Sequence, residues 1–263
     1  MSVQEDATIL ENGQIRGDYY RTLLQASRIA ATVSPGQFIH VQFPALEHRL
    51  LRRPFSVCDA DPRTGYLTII YKVVGEGTRH LAALAPGQTL NLLGGLGVGF
   101  SLPAVGTLPV VVAGGYGAAA THLLVRRAPV PCRVLIGGRT HADLLLVEEF
   151  RNLGANVELA TDDGTVGHRG VVTDLLGPAL ASRGSHPATV YACGPNAMLA
   201  TVASIAQTHD VNAELSLDHA MCCGVGACLA CVIKRKADTP EGWEYVRTCK
   251  DGPVFQANTL YWG

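Results

Sequence analysis

Four cysteines near the carboxyl end offer the clearest chemistry in this sequence. Cys223, Cys228 and Cys231 stand in a C-x4-C-x2-C run, and Cys249 follows at a distance. Plant-type [2Fe-2S] proteins use that spacing. Each iron takes two thiolates in a tetrahedral sulfur site, so a compact loop must supply three ligands and a neighbouring element the fourth. Gly224, Gly226, Ala227 and Ala230 let the backbone curl around such a centre and aim N–H groups at its sulfurs. A structural zinc site is the rival metal reading, but zinc ribbons usually present paired C-x2-C knuckles and one such pair exists here. Plain buried thiols are the third reading. Cys222 permits a C-x5-C register; Cys223 gives the expected loop. Cys58, Cys132 and Cys193 lie singly in apolar runs and read as small core residues.

Weaker signals suggest a flavin. Arg53-Pro54-Phe55-Ser56 sits at a strand start, and Ile70-Tyr71-Lys72 lies one hairpin later, followed by Gly75-Glu76-Gly77-Thr78. An arginine pairs with a pyrophosphate, an aromatic or backbone segment covers the ring, and a serine hydroxyl or N–H reaches a ring nitrogen. Gly77 and Thr78, before a helix suggested over His80 to Leu84, suit a phosphate. Each motif alone also reads as an ordinary turn. For a dinucleotide, Gly114-Gly115-Tyr116-Gly117 follows an apolar strand and opens a helix, without the full G-x-G-x-x-G. Cys193-Gly194-Pro195 joins another strand to another helix, which puts a second glycine turn at the carboxyl edge of the same sheet. Asp162-Asp163-Gly164 reads as a turn, and the histidines show no paired spacing.

These residues need three kinds of scaffold. From Thr8 to Phe100, short alternating runs such as Gln37 to Phe43 and Tyr66 to Val74 are separated by turns, which predicts a small antiparallel barrel. From Leu108, apolar runs alternate with helical stretches (Ala118 to Arg127, Asp143 to Leu153, Val171 to Leu180, Asn196 to Ala206), which predicts a Rossmann-like parallel α/β unit. The fold class is therefore mixed β and α/β, with a barrel over 1–103, an α/β domain over 104–210 and a small cofactor-stapled module over 211–263.

Composition narrows the functions. Charged residues are 16% of the chain against 48% apolar, so disorder is excluded and much surface must be buried or face a partner. A net charge of -1 gives no basic field for nucleic acid. No Asp, Glu, Lys or Arg occurs between His80 and Arg126, yet glycines and prolines cut this stretch into pieces too short for a membrane span. The amino-terminal residues lack the pattern of a secretory signal, so the expected compartment is the cytoplasm, where cysteines serve better as metal ligands than as disulfides.

Taken together, these motifs resemble the ferredoxin-reductase-like family and, within it, the electron-transfer subunits of NAD-dependent dihydroorotate dehydrogenases. Further pieces of the resemblance are Leu96 to Phe100, Gly170 to Leu176 and the run Arg247 to Phe255. Gly95 stands where the family commonly has Pro, and Ala119-Ala120 replaces its usual Ala-Pro. The resemblance implies FAD against Arg53 to Ser56, Ile70 to Lys72 and Gly77-Thr78, a [2Fe-2S] cluster on the four cysteines, and NAD at the glycine turns. It also implies an FMN-bearing catalytic partner in a heterotetramer of two copies of each chain, acting in pyrimidine biosynthesis. A hydride carries two electrons and the cluster changes by one, so a flavin between them converts the count. Subunits of hydrogenases, NADPH–ferredoxin oxidoreductases and oxygenase reductases share this chemistry with other partners, and a zinc-stabilised regulatory module is a rival of another class.

Overall fold

Alternating runs between Gly and Pro turns build one curled antiparallel sheet from the first hundred residues of the computed structural model, which describes residues 2–43 and 51–262. Its strands are β1 (Val3–Arg16), β2 (Tyr19–Gln25), β3 (Phe38–Gln42), β4 (Arg53–Ser56), β5 (Asp59–Asp61), β6 (Tyr66–Lys72) and β7 (Thr89–Leu96), in the order β4-β3-β7-β1-β2-β6-β5. Short helices α1 (Ser27–Ala30) and α2 (Glu76–Ala82) interrupt them. The ends of the sheet curl together: Cys58 N–H donates to Thr68 O at 2.9 Å, and the Phe55 ring meets Tyr71 edge-on at 5.6 Å. Ile9, Ile39, Val41, Leu67 and Leu92 fill the interior. The helix expected over His80 to Leu84 starts earlier. Thr78 Oγ1 accepts from Gly75 N–H at 3.1 Å and Val74 N–H at 3.0 Å, which closes the first turn there.

The second sheet contains β8 (Leu108–Gly114), β9 (Arg133–Gly138), β10 (Asn156–Thr161), β11 (His168–Arg169), β12 (Ala188–Gly194) and β13 (Asn212–Leu217), all parallel. Helices α3 (Gly117–Arg127), α4 (Val147–Asn152), α5 (Leu176–Ala181) and α6 (Asn196–Thr208) connect and cover them. Val110, Val111 and Val112 are all fully buried, as a strand covered on both faces requires. The helices expected over Asp143 to Leu153 and Val171 to Leu180 are shorter. Residues 141–143 and 172–175 form tight 3-10 turns instead, and α4 begins only after Leu146, whose φ of 60° breaks the helical path.

The remaining chain forms a hairpin of β14 (Val232–Lys236) and β15 (Trp243–Arg247), then α7 (Thr248–Asp251) and β16 (Val254–Gln256). Within the span 211–263, β13 and β16 lie in the α/β sheet, with order β11-β10-β9-β8-β12-β13-β16 and β16 antiparallel at its edge. The other side of this segment meets the barrel. Val98 N–H donates to Gly252 O at 2.5 Å, and a Cβ on Gly97 would lie 2.4 Å from that same oxygen, so only glycine fits the joint. No helix among the described residues is long and apolar enough to cross a membrane.

Candidate functional site

The loop that carries Cys223, Cys228 and Cys231 turns through Gly224 and Gly226, at φ 71° and 83°. A Cβ on Gly226 would press 3.0 Å from Lys250 Cβ, so these positions need glycine for conformation and for space. The turn directs backbone N–H groups inward, and Ala227 N–H reaches Cys223 Sγ at 3.3 Å. Burial pushes the Cys223 thiol up, but N–H groups of Val225, Cys228 and Ala227 and the Cys228 thiol outweigh it and bring the pKa down to about 6. Cys249 N–H donates to Cys231 Sγ at 3.4 Å, and Thr248 ties to the Cys231 carbonyl through N–H at 3.0 Å and Oγ1 at 2.8 Å. Burial and the adjoining Cys231 thiol raise Cys249 to about 12.

The four sulfurs thus fall into two pairs, Cys223 with Cys228 and Cys231 with Cys249. No three His, Cys, Asp or Glu side chains among the described residues converge on one metal ion. A two-iron core asks for a different geometry, one pair of thiolates per iron with N–H donors around them, and the residues present fit it. Cys222 belongs to neither pair. Arg247 braces the loop: its guanidinium holds Asp251 at 3.0 and 3.1 Å and donates to Gly226 O at 3.4 Å.

The inner pair packs on the outside of the barrel. Cys231 and Cys249 cluster with Phe38 of β3 and Leu96 of β7. Beside Phe38 on that face lies His40, wholly buried, with its pKa brought down to about 4 by burial and by Arg52 and Arg53. Phe38 pairs with Ser56 and His40 with Pro54, so one outer surface runs from the cysteines to the Arg53-Pro54-Phe55-Ser56 strand.

Sheet curling brings the flavin motifs together. Phe55 and Tyr71 point into the barrel core, which leaves Pro54 and Ser56 of β4 and Ile70 and Lys72 of β6 facing outward. The aromatic of the Arg-Pro-Phe-Ser motif is therefore buried in the barrel core. Gly77 approaches Arg53, where an added Cβ would sit 3.7 Å from Arg53 Cγ. Among the described residues, the Arg53 guanidinium donates to the nearby carbonyls of Leu51 at 2.6 Å and Arg52 at 3.3 Å, bonds that an incoming pyrophosphate can displace. Thr78 Oγ1 is occupied within its own turn. Arg52, by contrast, is structural, bridging Asn91 O at 3.0 Å and Gln42 Oε1 at 3.1 Å.

The glycine turns meet at a cleft of about 620 Å³. Between β8 and β12 the strand order reverses, which is where open α/β sheets bind ligands. Gly114, Gly115, Gly194, Pro195 and Lys72 all line this cleft. A Cβ on Gly117 would lie 2.1 Å from Cys193 O, so the first turn of α3 sits directly on the end of β12. Cys193 is buried, and its carbonyl is the atom that meets the α3 turn. The Tyr116 hydroxyl donates to Asp218, and burial with this bond raises the phenol pKa.

Sequence reasoning missed the polar network that joins barrel to α/β domain in this cleft. Tyr19 Oη donates to Asp143 at 2.9 Å, with Arg139 at 3.4 Å and Lys72 at 4.0 Å from the same carboxylate. Burial and then the bond to Asp143 push the Tyr19 phenol up to about 12. Burial alone would raise Asp143, but Tyr19, Arg139 and Lys72 outweigh it and hold its pKa below the ordinary value. A carboxyl depressed in the folded state stabilises the fold above its unfolded pKa, and that contribution disappears as pH falls through the folded value. Asp143→Asn should therefore cost about 1–3 kcal/mol at neutral pH and converge with the parent in strong acid. Chemical denaturation at both pH values checks this; equal stability at neutral pH would refute it.

Comparison with known proteins identifies two domains in the chain and a set of full-length relatives. The oxidoreductase FAD-binding domain matches residues 7–99, and the iron-sulfur cluster binding domain of dihydroorotate dehydrogenase B matches 218–261. The dihydroorotate dehydrogenase B (NAD(+)) electron transfer subunit of Desulforamulus reducens is 36% identical over 265 residues, 100% of both chains. That of Enterococcus faecalis is 37% identical over 262 residues, 98% of each. The NADH-dependent reduced ferredoxin-NADP oxidoreductase superposes with a TM-score of 0.83 at 26% identity, across 97% of this chain and 90% of that one. The ferredoxin reductase of carbazole 1,9a-dioxygenase, at 20% identity and TM-score 0.64 over 79% of this chain and 65% of its own, shares the fold. Full-length identity of this order, together with both domain matches, shows that the chain belongs to the family of dihydroorotate dehydrogenase B (NAD(+)) electron transfer subunits, an FAD- and iron–sulfur-binding oxidoreductase subunit of ferredoxin-reductase-like fold.

Proposed function

We propose that this chain relays electrons from an FMN-bearing dihydroorotate dehydrogenase catalytic subunit to NAD+, by way of a [2Fe-2S] cluster and FAD, in pyrimidine biosynthesis. One observation carries the reading: the flavin strands connect the other two sites. The outer face of β3, paired to β4, packs on Cys231 and Cys249, while Lys72 at the end of β6 lines the cleft of Gly114 and Gly194. FAD, when bound, exchanges two electrons with a nicotinamide and single electrons with the cluster.

The chain's residues have separate tasks in this proposal. Arg53 and the Gly77 turn hold the FAD pyrophosphate, and Ser56 and the β6 backbone from Ile70 to Lys72 address its ring. Gly114, Gly115, Gly117, Gly194 and Pro195 give a nicotinamide dinucleotide close access to backbone, and the salt-linked Lys72 fixes the floor of that cleft. Cys223 and Cys228 hold the outer iron and Cys231 and Cys249 the inner one. Cys228, Val225 and Leu229 are exposed, which leaves the outer end of the loop open to a partner. The assembly holds two copies of each chain in the cytoplasm, and the division into 1–103, 104–210 and 211–263 belongs to the same proposal, with β13 and β16 of the third span serving the second unit's sheet.

The test is anaerobic co-purification with the catalytic subunit. The expected material shows flavin and iron–sulfur absorption, yields FAD and two irons per copy of this chain, and reduces NAD+ with dihydroorotate. Colourless, zinc-bearing protein would overturn the redox reading. An iron–flavin protein that reduces NAD+ with another donor and never with dihydroorotate would keep the relay and change its partner.

A further inference from the structure

The outer face of β3 carries a polar side chain with nothing to bond. His40 has 0% exposure, and neither Nδ1 nor Nε2 has a hydrogen-bond partner among the described residues. Buried polar groups in folded proteins are nearly always paired, so an orphaned imidazole marks a missing partner. Its surroundings show where that partner lies. Ile39 and Val41, its neighbours on β3, point into the barrel core, so His40 points outward with Phe38, whose ring centroid is 5.5 Å away. Phe38 in turn packs with Cys231 and Cys249.

The ring's orientation is more telling. A Cβ built on Gly224 would lie 2.7 Å from His40 Cε1 and 2.9 Å from both Nδ1 and Nε2. Near-equal distances to these three atoms put the ring flat against the loop just after Cys223, its face toward Gly224 and its two nitrogens running alongside the ligand loop. Any side chain at Gly224 would close the gap, and the φ of 71° there also favours glycine. On its other flank His40 pairs with Pro54, on the strand of Arg53 and Ser56.

The geometry points to His40 as a hydrogen-bond donor to the sulfur of the two-iron centre, a positioning residue that raises the cluster's reduction potential relative to the flavin; this rests on the reading of the four cysteines as cluster ligands. An imidazole keeps at least one N–H whichever its protonation state. Sulfur gains negative charge when the cluster is reduced, so a fixed N–H stabilises the reduced form more than the oxidised one. Such a donor makes the cluster a better electron acceptor without touching either reacting partner.

The test uses the full chain loaded with iron and FAD. Pulsed EPR of the reduced cluster in protein labelled with 15N-histidine should show a histidine nitrogen coupling that His40→Leu abolishes, while eight other histidines remain. In redox titration, His40→Leu should shift the one-electron equilibrium between flavin and cluster about tenfold against the cluster, ~59 mV. His40→Asn, which retains an N–H, should recover most of that shift, and the flavin potential should stay put in both. No histidine coupling in the parent protein overturns the proposal even if the variants fail to load, and so does an unchanged cluster potential in His40→Leu. Equal shifts at flavin and cluster would assign His40 to packing and overturn it too. A parent chain that binds no iron would instead sink the cluster reading itself.

Discussion

Cys228→Ser strips the iron–sulfur absorption from this chain and halts NAD+ reduction by dihydroorotate in the complex, while FAD stays bound. The two tasks separate because the ligand loop and the flavin strands are different segments of chain: Cys228 is exposed at the outer end of its loop, and Arg53 and Ser56 lie on β4. A serine oxygen is a poor substitute for a thiolate in a sulfur site, and loss of one member opens the pair formed with Cys223. Outer-shell changes at metal sites typically cost 10–100-fold, so removing a ligand should cost at least about a hundredfold in coupled activity. Iron and flavin counts on the same preparation check the separation. Cys222→Ser is the matched control, since Cys222 joins neither pair and should leave both counts unaltered. Full iron and full activity in Cys228→Ser would take that residue out of the ligand set.

The second large effect is expected at a residue with no reactive group. Gly117→Ala places a methyl 2.1 Å from Cys193 O, and the obstacle is backbone, so the β8–α3 turn and the end of β12 must move apart. Overpacking of this kind costs about 1–3 kcal/mol of stability. It also displaces Gly115 and Gly194, which both line the cleft, by enough to lower kcat/KM for NAD+ by up to about a hundredfold. Electron flow from dihydroorotate to an artificial acceptor that takes electrons directly from the flavin should be spared. Melting temperature and the two assays together decide it: an unaltered NAD+ efficiency would mean that the dinucleotide does not rest on this turn.

What the sequence disclosed follows the range of the interactions involved. The ligand spacing at Cys223, Cys228 and Cys231 is local, and so are the strand-to-helix turns at Gly114 and Gly194, so short motifs reveal them. Period-two alternation separated Phe55 from its neighbours but did not say which face of β4 was inside; that depends on the curl that brings Tyr71 against it. The short start of α4 was hidden for a related reason. Asp143 reads as the first turn of an amphipathic helix, yet its carboxylate is committed to Tyr19, far back in the barrel, and a 3-10 turn serves that bond better. His40 gave no motif because its neighbour Gly224 comes from the other end of the chain. Charge and periodicity report on a residue's own element, and these contacts join elements that only the finished topology makes adjacent.

The joint of Gly97 with Gly252 on one side and of β13 with β16 on the other has a bearing on biogenesis. The sulfur cradle packs on Phe38 and Leu96 of the barrel sheet, while β16, the strand that follows it, is held at the edge of the parallel sheet, so the cradle's segment is anchored to both. Iron delivery must then wait for late maturation of the polypeptide, after the chain's two halves have found each other, and a nascent chain released early offers scavenging thiols instead of a socket.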